Sequence, residues 1–279
     1  MIPTSEIRLV DQAVVIPLAQ KQLLQSGLET IIAEVNVAQP STFVNVDLDD
    51  PLVALLGHPP NRVKQDGSLS EVRFSSDDEL TVEMASKLAT GELGAKASKQ
   101  DSRQYLMETV LPGATVHSHI SLYVARVSSF VMARMSTLVP GLTWESHFDT
   151  QLHSGMFVYP RELEEWPNQL LLYKDRMQRG FDDYIEVINS LIVQFRREHP
   201  NSVLDNATRQ RMHRIAGYAL PSAAAHHGVV SGSVSALAQV TEVFRNSISA
   251  EEATLGEALR RVLRPMAPDL YEAEVDVDA

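Results

Sequence analysis

Apolar positions along this chain repeat with two periods, and the switches between them mark out its elements. Near the start, Ile7, Leu9 and the run 13–18 read as a strand or two, and Leu23, Leu24, Leu28, Ile31 and Ile32 recur at helical spacing. Residues 42–48 alternate in part and predict another strand. Pro59, Pro60, Asn61, Asp66, Gly67 and Ser68 form a turn-rich segment, which places a boundary there. Residues 1–69 are expected to be an N-terminal α/β extension, residues 70–272 the main domain, and residues 273–279 an acidic, solvated tail.

Beyond the boundary, 71–75 reads as a strand. Asp77 or Asp78 is placed to cap a helix that turns Leu80, Met84 and Leu88 inward and ends at Gly91 and Gly94. A helix over 101–110 stops at Pro112-Gly113. Ile120, Leu122 and Val124 alternate with Ser121 and Tyr123, predicting a strand that leads into a Met-rich buried helix over 127–138. The clearest helix is 168–198, with Phe181, Tyr184, Ile185, Ile188, Leu191, Ile192 and Phe195 on one stripe. Further helices are expected over 208–218 and 233–244. Ser249 and Glu252 spell a capping box for the last helix, which Pro265 and Pro268 stop. The pattern predicts an α/β (α+β) fold with long helices and a mixed or antiparallel sheet.

Charge changes the picture more than composition does. The formal charge of -12 repels nucleic acid at long range, so a phosphorylated ligand must meet a local cluster of arginines. There is no cysteine, which excludes disulfides, thiolate metal sites and cysteine nucleophiles. No apolar run approaches the roughly 18 residues of a membrane span. The N-terminus does not read as a signal peptide, and a cytoplasmic setting is expected. His117 and His119 have the spacing of a strand-borne metal pair, but no carboxylate partner accompanies them, and no metal is assigned.

Three segments carry a resemblance. In the first, Ala97-Ser98, Thr115 and His119 lead without a gap into a segment ending Ala133-Arg134. In the second, Trp144-Glu145-Ser146-His147-Phe148-Asp149-Thr150 precedes Phe157-Val158-Tyr159-Pro160. In the third, Arg214 through Leu220-Pro221 is followed by Leu237 and Arg245. In order and spacing these resemble the flavin-dependent thymidylate synthases, with Glu145 falling on the family glutamate. The resemblance implies reductive methylation of dUMP, with FAD supplying the hydride, NADPH recharging it and methylenetetrahydrofolate supplying the carbon. It also implies a homotetramer. On matching positions it assigns Ser98, Thr115, His119 and Glu145 to the cofactor, and Arg134 and Arg245 to the nucleotide; Ser233 and Ser235, at a small-residue helix entry, are added as cofactor candidates.

The departures matter chemically. Thr137-Leu138-Val139-Pro140 stands where the family has Arg-His-Arg, Ala216-Gly217 where it has Ala-Arg, and Ser233-Val234-Ser235 where it has Asn-x-Arg. Each lost charge-assisted contact removes about 1.5–3 kcal/mol of binding. Two readings follow: a methylase with a rebuilt anion site, or a catalytically degenerate structural or regulatory subunit that partners an active homologue. The small-residue stretch 228–235 offers helix-entry amides to a flavin pyrophosphate, or close packing between helices.

Overall fold

The computed structural model describes residues 7–20, 22–38, 42, 49–58, 63–64, 72–73, 75–97, 100–110, 112–146 and 155–276. The expected strand over 42–48 and the boundary at residue 69 lie outside these, apart from Thr42. In chain order the elements are β1 (Arg8–Val10), β2 (Val14–Gln20), α1 (Gln25–Ala38), α2 (Pro51–Leu56), β3 (Val63–Lys64), β4 (Val72–Arg73), α3 (Asp77–Thr90) and α4 (Ser102–Glu108). Then follow β5 (Ile120–Ser128), α5 (Ser129–Leu138), β6 (Thr143–Ser146), β7 (Met156–Val158), α6 (Pro167–Glu198) and α7 (Asn206–Ala216). Last come β8 (Ala225–Gly232), α8 (Val234–Arg245), α9 (Ala250–Met266) and α10 (Pro268–Asp276). Parallel pairing of β1 with β7 and antiparallel pairing of β3 with β4 make the fold mixed α/β, as the pattern predicts. Among the described residues no helix is long and apolar enough to cross a membrane.

The chain divides into two compact units. The first comprises Met1–Ile16, Leu122–Val230 and Val243–Leu259. It holds most of β5 and β8 and all of β6, which belong to a four-stranded sheet of order β2, β5, β8, β6. Its core gathers Ile7, Phe157, Phe181, Tyr184, Ile185, Ile188, Ala216 and Ala224. Four of these come from the predicted stripe on α6. Phe181 stacks on Tyr184 and meets Phe157 edge-on. Gly180 is where α6 passes Pro221: a Cβ there would sit 2.7 Å from the proline Cγ and Cδ. Gly180→Ala is therefore expected to destabilise the protein by about 1–3 kcal/mol in urea unfolding, despite the better helix propensity of alanine.

The second unit comprises Pro17–Ser121, Ser231–Glu242 and Arg260–Ala279. One apolar cluster joins Leu28 and Ile32 of α1 to Ala54 and Leu55 of α2 and to Leu93. Helix α3 departs from its pattern. Its cap is Ser76, in a reciprocal capping box with Glu79, and Leu88 lies 53 % exposed rather than inward. Leu80 is buried as expected, but the buried face also carries Asp78, Glu79, Glu83 and Lys87. These charged groups tie down distant chain. Asp77 accepts the Leu23 N–H, Asp78 the His119 N–H at 2.7 Å, and Glu79 the Asp269 N–H at 2.7 Å. Glu83 Oε1 accepts from Lys87 Nζ at 2.6 Å and from His58 Nε2 at 2.7 Å, while Lys87 also donates to the Leu56 carbonyl.

Two endings differ from expectation. Pro265 lies inside α9 rather than stopping it, and α10 carries helix on through Asp276.

Candidate functional site

In the first unit the residues of interest sit on β5, β8, α5 and α9. Strand β5 alternates cleanly, burying Ile120, Leu122 and Val124, until Arg126 breaks the pattern. Arg126 is the one non-glycine residue with positive φ among the described residues, at 60°. Such a conformation costs on the order of 1 kcal/mol or more and clusters at functional sites. Its side chain is exposed and has no hydrogen-bond or ion-pair partner among the described residues. On the same strand Tyr123 is half-buried, its ring 6.0 Å from that of His227 on β8. An exposed guanidinium suits an anionic ligand. The sequence signal was present, as an arginine that interrupts a strand's alternation.

The two arginines assigned by resemblance are placed differently. Arg134, on α5, gives Nη1 to both oxygens of the fully buried Glu252 carboxylate, at 2.7 and 2.8 Å. Arg245 Nε lies 3.5 Å from Glu257 Oε2. Both therefore face carboxylates of α9. This also corrects the capping box: Glu252 holds Arg134, while the Ser249 N–H goes to Ser247 Oγ. The neighbouring Glu251 accepts from the Ser128 N–H and hydroxyl at the start of α5. Burial raises the Glu251 carboxyl above its usual range despite those bonds.

A serine–histidine pair lies nearby. Ser129 Oγ is 2.5 Å from His226 Nε2. Burial, helped by His227, pushes the His226 imidazole down to about 4. A base that weak does not activate a hydroxyl at neutral pH, so the pair reads as a neutral interior hydrogen bond. Glu145 lies on β6.

In the second unit the structure brings the segment around Thr115 and His119 to the entry of α8. Ser118 Oγ donates to the Thr115 carbonyl at 2.8 Å and accepts the Val234 N–H at 2.9 Å. Thr115 is buried in the short helical turn Pro112–His117, while His119 is exposed and gives its N–H to Asp78. His117 ends that turn and His119 precedes β5, so the two are not borne on one strand. Ser233 Oγ accepts the Ala236 N–H. Two amides at the helix entry, Val234 and Ala236, are thus given to serine oxygens and are not open to a phosphate. Ser235 is half-buried on the first turn of α8, and Ser98 lies outside the described residues.

No family model and no curated protein sequence matches the chain. Among solved structures it is similar to the UMP/dUMP methylase PolB from Streptomyces cacaoi, bound with 5-Br UMP. The match covers 97 % of each chain with a TM-score of 0.54 and 12 % sequence identity. At that identity the likeness is one of fold.

Proposed function

We propose that this chain binds a uridine nucleotide and takes part in its methylation, as a methylase of the thymidylate synthase type acting on dUMP or a related nucleotide. The observation that carries the reading is Arg126: an exposed guanidinium on strained backbone, with no carboxylate beside it among the described residues. It supplies the cation that the departures at residues 137–140 take away. The methylase of similar fold was solved with a uridine nucleotide bound, which supports that ligand class. In this reading FAD, with NADPH and methylenetetrahydrofolate, supplies the hydride and the carbon.

Calorimetric titration with UMP and with dUMP tests it. Arg126→Ala is expected to weaken binding by about 10–100-fold, the worth of one charge-assisted phosphate contact. Equal affinity in the variant would overturn the assignment. A flavin band in the visible spectrum of the purified protein would support the cofactor.

A second reading rests on a different observation. Arg134 and Arg245 both face carboxylates, and displacing Arg134 would leave Glu252 charged and buried. A catalytically degenerate subunit, assembled with an arginine-complete homologue, would have that arrangement. Colourless protein that takes up neither flavin nor either nucleotide would favour it.

A further inference from the structure

We propose that Glu251 is a positioning residue for Arg126: by holding both polar groups of Ser128, it fixes the end of β5 in the phase that turns the Arg126 guanidinium outward. The inference rests on the nucleotide reading above, in which Arg126 is the cation.

The alternation of β5 carries the argument. Leu122 and Val124 are buried, and Tyr123 and Ala125 half-buried, so a regular strand would bury residue 126 and expose residue 127. The opposite is found: Arg126 is exposed and Val127 fully buried. The change of phase falls on Arg126, where φ is 60°. A left-handed residue within a strand re-aims the side chains around it, as at a β-bulge. If Arg126 relaxed to extended backbone, either its guanidinium would turn toward the core or Val127 would turn toward water.

Such a conformation persists where the surrounding chain over-determines it. Before Arg126, the buried Leu122 and Val124 fix the strand. After it, Ser128 gives its N–H to Glu251 Oε1 at 2.7 Å and its hydroxyl to Oε2 at 2.9 Å. The same hydroxyl oxygen accepts the Val131 N–H and so opens α5. Ser129 and Phe130 give their N–H groups to the carbonyls of Ala224 and Ser222. Of these ties, the pair to Glu251 lies nearest the change of phase in the chain. It comes from α9, in the same unit. The clamp is itself anchored, because the next residue, Glu252, holds Arg134 of α5 through both carboxylate oxygens.

Two variants and two readouts test this. Glu251→Met keeps the length of the side chain and neither contact. Glu251→Gln keeps an acceptor for the Ser128 N–H and can donate to the Ser128 hydroxyl oxygen. Without nucleotide, the Arg126 Cα and Cβ chemical shifts report its backbone. Glu251→Met is expected to move them from left-handed toward extended values, and Glu251→Gln to leave them in place. Calorimetry with UMP should show binding weakened by about 10-fold in Glu251→Met, restored in Glu251→Gln, and no further loss when Glu251→Met is added to Arg126→Ala. A merely structural role would not give that coupling. If Glu251→Met does not fold by far-UV circular dichroism, Ser128→Ala, which removes one of the two contacts, should move the Arg126 shifts in the same direction by less. Unmoved Arg126 shifts, or a loss of affinity that adds to that of Arg126→Ala, would overturn the proposal. Unchanged UMP affinity in Arg126→Ala alone would instead overturn the nucleotide reading, with the chemical shifts still deciding whether Glu251 holds Arg126.

Discussion

Lys87→Met is expected to destabilise the protein by about 3–5 kcal/mol, the cost of leaving a buried carboxylate without its cation. Lys87 and Glu83 are both fully buried on α3. The ammonium donates to Glu83 and to the Leu56 carbonyl, and lies 4.7 Å from the centre of the Tyr105 ring. Burial would raise the Glu83 carboxyl, but the His58 hydrogen bond and the Lys87 charge outweigh it and hold it below its usual range. Without Lys87 the desolvation remains and much of the compensation is gone. The informative comparison is the double variant Glu83→Leu/Lys87→Met, which removes both charges at similar volume. It should unfold at higher urea than Lys87→Met alone. If the single variant is as stable as wild type, the network does not hold α3 in the way described.

His226 gives the second large effect. Its pKa falls from 6.5 to about 4 in the folded chain, first through burial and then through His227. Above pH 6.5 the imidazole is neutral in both states and costs nothing. As pH falls below that, the unfolded chain takes up a proton that the folded chain refuses, so stability drops by about 1.4 kcal/mol per unit until pH 4. The full loss is about 3 kcal/mol, of which about 2 kcal/mol should be visible between pH 7.5 and 5. Glu79 and Glu251, whose carboxyls are raised by burial, work the other way. They protonate more readily in the folded chain, so stability rises as pH falls through their folded values. Glu83, held low, adds a loss below 4.5. His226→Gln keeps a polar partner for Ser129 and should flatten the slope between pH 7.5 and 5. An identical slope in the two proteins would refute the assignment to His226.

Where packing is decided by apolar periodicity, the sequence was a good guide. The stripe on α6 and the alternation of β5 both appear where their patterns put them. Helix α3 was misread because charged side chains count as solvated in any periodicity argument. What puts Asp78, Glu79, Glu83 and Lys87 inside are partners brought by the fold, such as the amides of His119 and Asp269. Glu252 shows the same limit: its local pattern spells a cap, yet Arg134, far earlier in the chain, takes its carboxylate. At the candidate site, Arg134 and Arg245 were legible as arginines but their carboxylate partners were not. Arg126 was visible only as a break in alternation, and its left-handed backbone could not be read from sequence.

The carboxylates of α3 also bear on how the chain is made. Asp77 waits for nothing, since Leu23 has already left the ribosome when it emerges. Glu79 closes on the amide of Asp269, which is synthesised 190 residues later. Until the stretch around Asp269 is out, the Glu79 oxygen it fills must stay hydrated or be buried without a donor, while the other is held by Ser76. Consolidation of the second unit thereby waits on that stretch, and a nascent chain stalled short of Pro268 would present an unfinished interior to chaperones and proteases.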